Sequence, residues 1–400
     1  MLLELFFWGL LALVFYTYLG YGLLLAGLVG LRRLIGRRRP VPAPGAHLPE
    51  VTLIVPAYNE MSCLEDKLLN SLALDYPADR LRLLFVSEGS TDGTTEFLHG
   101  WRLVEPRLAV IGGSERRGKV EAMNAAMRQV ETPIVVFTDA NTALNRHALR
   151  YLVRHFADPG VGAVAGEKRV QSGDSAAAAG AGEGLYWKYE SWLKRLDTEL
   201  HTVVGAAGEL FAVRTDLYAP VEPDSLLDDF MISMRIAGQG YRVVYEPEAY
   251  ALEGPSASIG EEQKRKVRIA AGGFQSMARL KPLLNPLRDG WLTFQYLSHR
   301  VLRWAVTPFC LPLLVLVNAL LLALPELALP RLVYALLLVG QILFYGAAYV
   351  GHRLENQQVR VKAFFVPYYF AFMNYCALLG YRRYRRGNET GVWEKAKRAA

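Results

Sequence analysis

The chain has 400 residues and a formal net charge of +7. This length exceeds what one hydrophobic core usually serves, so we expect a soluble domain with additional parts. The basic residues cluster beside apolar stretches, between residues 32 and 39 and between residues 382 and 386. This placement argues against nucleic-acid binding and indicates topology signals and contacts with anionic lipid headgroups. The three cysteines show no metal-ligand spacing, which argues against a disulfide framework and fits a reduced, cytosolic face.

The first predicted element is an apolar stretch over residues 5–31, long enough to cross a bilayer. Glu4 precedes it, arginines follow it, and no small-residue cleavage site comes after it, so a signal peptide is a poor interpretation. We therefore assign residues 1–35 to an N-terminal transmembrane helix. The positive-inside rule places the N-terminus outside and the following domain in the cytosol.

A stiff, proline-rich linker over residues 36–50 leads into an α/β domain over residues 51–285. Short β-branched runs predict buried strands at residues 51–55, 81–86, 108–111 and 134–138. Helix-like stretches lie between them at residues 63–74, 94–103 and 119–129. Strands alternating with helices indicate a mostly parallel sheet, whose ligands bind beyond the carboxyl ends of the strands.

Acidic, amide or lysine side chains follow each of these four strands. They lie in the segments 56–60, 87–94, 115–119 and 137–142, beside turn residues. A single such loop would most often be an ordinary solvated turn. Four of them at one edge of one sheet predict a binding site.

These loops, in this order, resemble the signature of family 2 glycosyltransferases, which share the nucleotide-sugar-binding GT-A fold. The resemblance extends over residues 51–273. It implies that Ala57, Tyr58 and Glu60 flank the nucleoside, and that Glu88 and Asp92 complete its pocket. The family commonly has Asp where this chain has the longer Glu88.

The resemblance also implies how the diphosphate is held. Lys119, after a glycine turn, can approach it as a point charge. Asp139 can hold Mg²⁺ or Mn²⁺ bridging the phosphates. The family motif Asp-x-Asp reads Asp139-Ala140-Asn141 here, which leaves Asn141 as a second, uncharged ligand. A strand-end cap for Asp139 and a surface charge for Lys119 are the alternatives.

The acceptor side follows the same resemblance. The adjacent Asp228 and Asp229 are similar to the family's acidic pair, in which the second Asp is the catalytic base; we assign Asp229 as that base and helix capping to Asp228. A single base without a covalent intermediate implies inversion of configuration. Gly208 belongs to the loop that shapes the acceptor pocket. Two interpretations of Trp187 stay open: its ring stacks on a sugar, or it only packs within its helix.

Processive cellulose, chitin and hyaluronan synthases carry Gln-x-x-Arg-Trp, where this chain has Arg265-x-x-Arg268-Ile269. Arg268 keeps the basic residue that binds the diphosphate, and Arg265 falls on the acceptor side. The missing Trp removes a ring that would stack on the acceptor, which argues against processive synthesis. A basic helix face against headgroups is the alternative for Arg265.

Beyond the domain, residues 286–304 predict an interfacial amphipathic helix, with His299 as an interface residue. Residues 305–381 predict a transmembrane region of two or three spans, and residues 382–400 form a basic tail. Four full crossings would leave that tail outside, against the positive-inside rule. The last apolar stretch, interrupted by Pro367 and Asn374, is the one expected to be re-entrant or interfacial.

The sequence therefore predicts an integral membrane protein of the bacterial inner membrane, with GT-A α/β architecture and transmembrane helices at both ends. The expected reaction is inverting, metal-dependent transfer from a nucleotide sugar, most simply a UDP-sugar, to a growing polysaccharide or a lipid-linked acceptor. A single-addition glycolipid synthase acting on ceramide or a prenyl lipid is the alternative. A scaffold subunit without catalysis is the competing class. Membrane lipids and envelope polysaccharide export proteins are the expected partners.

Overall fold

The computed structural model describes residues 1–36, 41–170, 179–254, 259–356 and 361–387. Within these ranges the chain forms an eight-stranded sheet flanked by helices. The same described residues contain four helices that are long and apolar enough to cross a membrane. The predicted topology signals at residues 37–39 and in the tail from 388 to 400 lie outside the described residues.

The N-terminal helix is continuous over Leu2–Leu34. It consists of α1 (Leu2–Phe15), a π-helical stretch (Tyr16–Gly20) and α2 (Tyr21–Leu34). Its length and apolar composition agree with the predicted span.

The domain alternates strands and helices over its first half. The strands are β1 (Val51–Pro56), β2 (Leu81–Glu88), β3 (Leu108–Gly113), β4 (Ile134–Thr138), β5 (Thr142–Leu144), β6 (Val161–Val170), β7 (Leu210–Arg214) and β8 (Arg242–Glu253). The helices are α3 (Met61–Leu72), α4 (Thr94–Arg102), α5 (Lys119–Met127), α6 (Ala148–Val153), α7 (Ala179–Leu200), α8 (Asp228–Gly238), α9 (Ile259–Arg279) and α10 (Pro286–Asp289). The four strands expected from β-branched runs all form, and each of the three helices between them begins within two residues of its expected start.

The sheet is mixed, with the order β3-β2-β1-β4-β7-β6-β8-β5. β1 pairs in parallel with β2 and β4, and β2 pairs in parallel with β3. The carboxyl ends of these four strands therefore meet at one edge, which is where such sheets bind ligands. Beyond β4 the sheet departs from the expected mostly parallel pattern, because β7 runs antiparallel to both β4 and β6.

After α10, a single helical run extends over Trp291–Leu322. It comprises α11 (Trp291–Tyr296), a π-helical stretch (Leu297–Val306) and α12 (Thr307–Leu322). The expected interfacial helix at residues 286–304 is thus continuous with the apolar span that follows. Pro308 has no N–H to donate to the helical hydrogen bonds, and its ring crowds a carbonyl group in the preceding turn. The π-helical turns before Pro308 are wider, so they accommodate the ring without ending the helix.

The last two helices are α13 (Arg331–Asn356) and α14 (Lys362–Arg386). α13 begins beside the N-terminus of the chain, where the Tyr334 hydroxyl donates to the Glu4 carboxylate at 3.0 Å. α14 is unbroken despite Pro367 and Asn374. Asn374 is satisfied within the bundle: it donates to the carbonyl of Phe370 at 2.9 Å and accepts from the Tyr18 hydroxyl at 2.7 Å.

α14 contacts both α13 and the domain. Its first turns pack closely against the last turns of α13, where a Cβ added to Gly351 would overlap the Phe364 carbonyl oxygen. Its last turns contact α9, with the rings of Tyr381 and Phe274 centred 5.1 Å apart. α14 therefore links the end of α13 to α9 of the domain.

The N-terminal helix also packs directly on the domain. A buried cluster joins α2 to α7 through Tyr21, Leu25, Val29, Leu193, Leu196 and Leu200. Each buried aliphatic side chain of this kind contributes about 1.5–3 kcal/mol. At the end of α2, Arg33 makes a two-pronged ion pair with Glu199, at 2.8 and 2.7 Å. The helix is therefore part of the domain's packing as well as an anchor.

Candidate active site

One cavity of about 880 Å³ gathers the residues predicted for the donor and acceptor sides. It lies at the carboxyl edge of the sheet and extends to the membrane helices. The predicted residues on its wall are Ala57, Tyr58, Glu60, Glu88, Lys119, Asp139, Asn141, Trp187, Gly208, Asp228, Asp229, Arg265 and Arg268. The fold therefore brings together two groups of residues that are far apart in the chain.

Asp92 is the exception, because it is exposed and does not line the cavity. Its carboxylate accepts the backbone N–H of Met61 at 3.0 Å and that of Thr94 at 3.1 Å. These bonds fasten the loop after β2 to the first turns of α3 and α4. Its position assigns Asp92 to loop structure and does not support direct contact with a nucleoside.

The nucleoside end of the cavity is bounded by Tyr58 and Glu88. The Arg116 guanidinium stacks 3.9 Å from the centre of the Tyr58 ring. Glu88 is 5 % exposed, and its Oε1 accepts from Arg117 at 2.6 Å. Its Oε2 is buried and has no hydrogen-bond partner among the described residues. A buried carboxylate oxygen of this kind is costly unless a ligand supplies a donor.

Lys119 stands at the centre of the cavity. It follows Gly118, whose φ of 99° favours glycine and turns the chain into α5. Its ammonium donates to Asp139 at 2.8 Å and lies 3.5 Å from the Asp228 carboxylate. Burial alone would lower the pKa of Lys119, but the charges of Asp139 and Asp228 outweigh it and raise that pKa. Lys119 is therefore a fixed cation that a diphosphate can approach.

The predicted metal ligands Asp139 and Asn141 both line the cavity, just beyond β4. The Asn141 amide group donates weakly to Glu253, at 3.5 Å, which leaves its carbonyl oxygen as the coordinating atom. Within the described ranges, no group of three or more His, Cys, Asp or Glu residues could hold a metal ion. The donor set fits a hard divalent cation that takes its remaining ligands from substrate oxygens and water.

The predicted base, Asp229, is half-buried in the first turn of α8. The loop after α7 packs closely on it, since a Cβ added to Gly208 would lie 3.3 Å from Asp229 Oδ2. Burial, and then the neighbouring charge of Asp228, raise the pKa of Asp229 to about 7 against the opposing effect of Lys119. A carboxylate with that pKa is suited to accept a proton near neutral pH.

Asp228 does not cap α8, contrary to the expectation. The N-cap position belongs to Leu227, and no side chain closes this end of the helix. The Asp228 carboxylate is directed instead toward Lys119. A side chain in the first helical turn no longer has the geometry of a cap, although its charge still favours the positive end of the helix.

The other predicted acceptor-side residues lie on two helices. Trp187 is half-buried on α7, with the Lys266 ammonium 5.8 Å from its ring centre. On α9, Arg265 pairs with Glu262 at 2.9 Å, and Arg268 lines the cavity one turn further. The two arginines thus present one basic helix face to the cavity.

Sequence reasoning missed a buried ion cluster on the cavity wall. Glu190 of α7 binds both Arg300 and Arg303 of the helical run Trp291–Leu322. His299, expected at the membrane interface, is fully buried beside Glu190. The i, i+3 spacing of the two arginines was visible in the sequence, but their partner lies more than 100 residues away and no local pattern identifies it.

The membrane helices also contribute to the cavity, which the sequence did not show. The contributing residues are Tyr18 and Leu19 from the N-terminal helix and Val366, Tyr369, Phe370, Met373, Asn374, Cys376 and Ala377 from α14. This wall is mostly apolar and aromatic. The cavity therefore connects the Lys119–Asp139 region to the helices that are apolar enough to lie in the bilayer.

This mixed sheet, with a lysine and acidic residues gathered at its carboxyl edge, defines a glycosyltransferase of the GT-A class. Residues 49–272 match the family described as "Glycosyltransferase like family 2". The match covers more than half of the chain, and the chain belongs to this family. The expected family and fold class are confirmed.

Curated relatives are similar over the same region. Poly-β-1,6-N-acetyl-D-glucosamine synthase of Staphylococcus aureus (strain COL) is 28% identical over 240 residues, which is 58% of this chain and 56% of that protein. The synthase of the same name from Staphylococcus epidermidis is 25% identical over 252 residues, covering 61% and 57%. The chain spans about half the length of the curated relatives it matches.

A solved structure resembles nearly the whole chain. The mannosyltransferase PcManGT from Pyrobaculum calidifontis, in complex with GDP-mannose and Mn²⁺, superposes with a TM-score of 0.74 at 26% identity. The superposition covers 97% of this chain and 100% of that structure. The similarity therefore includes the helices at both ends as well as the sheet.

Proposed function

We propose that the chain transfers a sugar, with inversion of configuration, from a nucleotide sugar to a hydroxyl group of an acceptor that reaches the site from the membrane. The observation that carries this proposal is the single cavity. It joins the Lys119–Asp139 pair, the Asp229 carboxylate and the apolar wall of α14. The catalytic domain would face the cytosol of a bacterial inner membrane, where nucleotide sugars are made.

In the proposed reaction, Asp229 accepts the proton of the acceptor hydroxyl while the hydroxyl oxygen attacks the anomeric carbon. The bond from that carbon to the diphosphate breaks, and its electron pair leaves with the nucleotide. Lys119 and Arg268 stabilise the negative charge that develops on the leaving group. A divalent cation held by Asp139 and Asn141 would supply further charge neutralisation there. One displacement at one carbon inverts its configuration.

A uridine nucleotide suits the nucleoside end best. Glu88 has one oxygen bonded to Arg117 and one oxygen left for a ligand. The imide edge of uracil offers a single N–H between two carbonyl groups, which matches one carboxylate oxygen beside a guanidinium donor. Guanine presents two adjacent N–H donors and would require both oxygens of Glu88. The carboxylate geometry therefore favours a UDP-sugar, although the solved relative binds GDP-mannose.

Two acceptor classes fit the membrane side. The curated relatives carry the name of a polysaccharide synthase, which favours a growing polysaccharide. The position aligned with the stacking Trp of processive synthases is Ile269, a cavity residue, and the cavity wall beyond it is apolar. These two observations favour single addition to a lipid-linked acceptor.

The test is to incubate the purified full chain and Mn²⁺ with a panel of radiolabelled nucleotide sugars and membrane lipids, and to separate polymer from glycolipid. We expect one UDP-sugar to label a lipid-extractable product. Labelled polymer would establish the polysaccharide alternative. UDP binding without release of UDP from any sugar, with or without acceptor, would establish a scaffold role and contradict the proposal.

The Asp229→Asn variant tests the assignment of the base in that assay. It keeps the shape of the side chain but cannot accept a proton, so kcat should fall by about 10²- to 10⁴-fold. UDP binding, measured by calorimetry, should stay within a few-fold of the unmodified protein. Unchanged turnover by this variant would remove Asp229 as the base.

A further inference from the structure

A pair of arginines occupies the wall of the cavity on its membrane side. Arg300 Nη1 lies 3.0 Å from Glu190 Oε1, and Arg303 Nη1 lies 2.7 Å from Glu190 Oε2. One carboxylate therefore holds two guanidinium groups, and both arginines line the cavity. Glu190 is 3 % exposed and Arg303 is 8 % exposed, so bulk water screens their charges poorly.

A second layer of buried groups fixes Glu190. His299 Nε2 lies 3.2 Å from Glu190 Oε1, and its Nδ1 lies 2.6 Å from Asp197 Oδ2. Asp197 also accepts from Gln295 at 3.0 Å and from the Tyr21 hydroxyl. This layer joins α2, α7 and the helical run Trp291–Leu322. The orientation of Glu190, and through it of the two arginines, is set by three elements.

The arginine pair and the predicted base line the same cavity. The Arg300 guanidinium is 5.3 Å from the centre of the Trp304 ring. That ring is 5.5 Å from the ring of Phe230, the residue after Asp229. Arg300 also donates to the carbonyl of Val204 at 3.2 Å, just before the loop that packs on Asp229. Arg300 therefore contacts the residues that pack around the segment carrying Asp229.

On its other side the arginine pair meets the apolar wall. The Arg303 guanidinium carbon is 6.0 Å from the centre of the Tyr18 ring. Tyr18 contacts α14 directly, with its ring 4.7 Å from that of Phe370. The arginine pair therefore adjoins the apolar wall of the cavity.

We propose that Arg300 and Arg303, held by Glu190, bind a phosphate or pyrophosphate group that links the hydrocarbon chain of the acceptor to the hydroxyl that receives the sugar. This inference rests on the proposed function and specifies its acceptor as a phosphate-bearing lipid. Guanidinium groups suit phosphate oxygens in number and geometry. The apolar wall next to the arginines and Asp229 in the same cavity match the other two parts of such a molecule.

The ligand class is tested by direct binding. The purified full chain in neutral detergent is titrated with farnesyl phosphate, farnesol and inorganic phosphate, and tryptophan fluorescence is followed, since Trp304 and Trp187 line the cavity. We expect farnesyl phosphate to bind at least tenfold more tightly than either of the others. Equal binding of farnesol would overturn the phosphate site, and equal binding of inorganic phosphate would overturn its assignment to a lipid.

The residues are tested with Arg300→Gln and Arg303→Gln. Each should weaken farnesyl phosphate binding by about 10- to 100-fold, the effect of losing a hydrogen bond to a charged group, and leave farnesol binding unchanged. Glu190→Gln should also weaken it, because the arginines lose their support. Arg33→Gln is the matched control: it removes a basic residue near the membrane that pairs with Glu199 outside the cavity, and it should have no effect. Equal losses in Arg33→Gln and Arg303→Gln would overturn the site.

Release of UDP from the donor, measured in the same preparations with the membrane lipids of the transfer assay present, separates the two proposals. Normal release in unmodified protein together with no preference for farnesyl phosphate would contradict only the phosphate site. Absence of release from every donor in unmodified protein would contradict the proposed function itself.

Discussion

Asp229 and Asp228 are adjacent in the chain, yet the fold gives them different surroundings. Asp228 faces the Lys119 ammonium at 3.5 Å. Asp229 is half-buried beneath the loop that carries Gly208. One carboxylate therefore pairs with a cation, while the other has the raised pKa that suits the predicted general base.

This contrast predicts the pH dependence of the reaction. Burial and the charge of Asp228 raise the pKa of Asp229 to about 7. Below that pH the carboxyl group is protonated and cannot accept a proton; above it the carboxylate is the active form. We expect kcat/KM for UDP release to rise through about pH 7 and then level off, since this parameter reports the free enzyme.

The Asp228→Asn variant checks the cause of that pKa. Removing a neighbouring negative charge lowers the pKa of Asp229, so the rising limb should move to lower pH by on the order of one unit. The measurement is the same pH profile. If the pH at which kcat/KM rises were unchanged in this variant, the charge of Asp228 would not act on the titrating group.

Asp139 carries the predicted metal dependence. The Asp139→Ala variant should bind UDP with the same weak affinity with and without Mn²⁺, whereas the unmodified chain should bind more tightly with the metal. Mutating a residue that only supports a metal ligand typically costs about 10- to 100-fold in metal affinity. Loss of Asp139, the one charged ligand of the two predicted, should cost at least that much. Calorimetry with and without Mn²⁺ measures it. Retained metal dependence would place the cation elsewhere.

At the scale of elements, α9 and the helical run Trp291–Leu322 meet at a small residue. A Cβ added to Gly273 would lie 2.5 Å from Cε3 of Trp304. Gly273→Ala should therefore push the two helices apart and destabilise the protein by about 1–3 kcal/mol. Thermal unfolding in detergent measures the change, and acceptor-dependent turnover should fall because Trp304 lines the cavity.

Gly340→Ala is the control for that substitution. Gly340 also lies within a helix, α13, but an added Cβ there meets nothing within 4 Å. It should leave unfolding unchanged or raise the midpoint slightly, as alanine favours helix over glycine. Similar losses in both variants would mean that the effect comes from helix substitution in general and not from the contact with Trp304.

Much of the first half of the domain could be predicted from the sequence, because its signals are local. The β-branched runs gave the four parallel strands, and the loops after them supplied Lys119, Asp139 and their neighbours. The antiparallel β7 has no local signal, since pairing depends on distant partners. Asp92 and Asp228 show the same limit: an acidic residue at a helix start reads as a cap or a ligand until its surroundings are known.

The contacts that connect the membrane helices to the site were also beyond the sequence. Glu190 and Arg303 are separated by 113 positions in the sequence. A contact at that separation produces no periodic pattern in the sequence. The π-helical stretch before Pro308 was hidden for another reason. Proline there predicts a break, but a helix can absorb it by widening a turn.

For the whole molecule, the path of α14 addresses the topology conflict. The last turns of α14 contact α9 of the domain. We predict that the N-terminal helix, Trp291–Leu322 and α13 make three crossings and that α14 lies across the domain-side end of the bundle. This arrangement would obey the positive-inside rule. It also explains how α14 can line the cavity, because a helix lying across the bundle end can contact both the bilayer and α9.

Labelling tests that path. In a cysteine-free background, Arg386→Cys should react with a membrane-impermeant maleimide in inverted vesicles and not in intact cells. Glu326→Cys, in the exposed loop before α13, is the control and should show the opposite pattern. Labelling of Arg386→Cys in intact cells would mean that α14 crosses the bilayer.

Lys119 bridges Asp139 and Asp228 in the protein without substrates. A diphosphate arriving at this lysine would draw the ammonium away from Asp228, and the uncompensated charge would then increase the proton affinity of Asp229. Donor binding and protonation of Asp229 would therefore favour each other. The consequence is that the affinity for UDP should be higher below about pH 7 than above it.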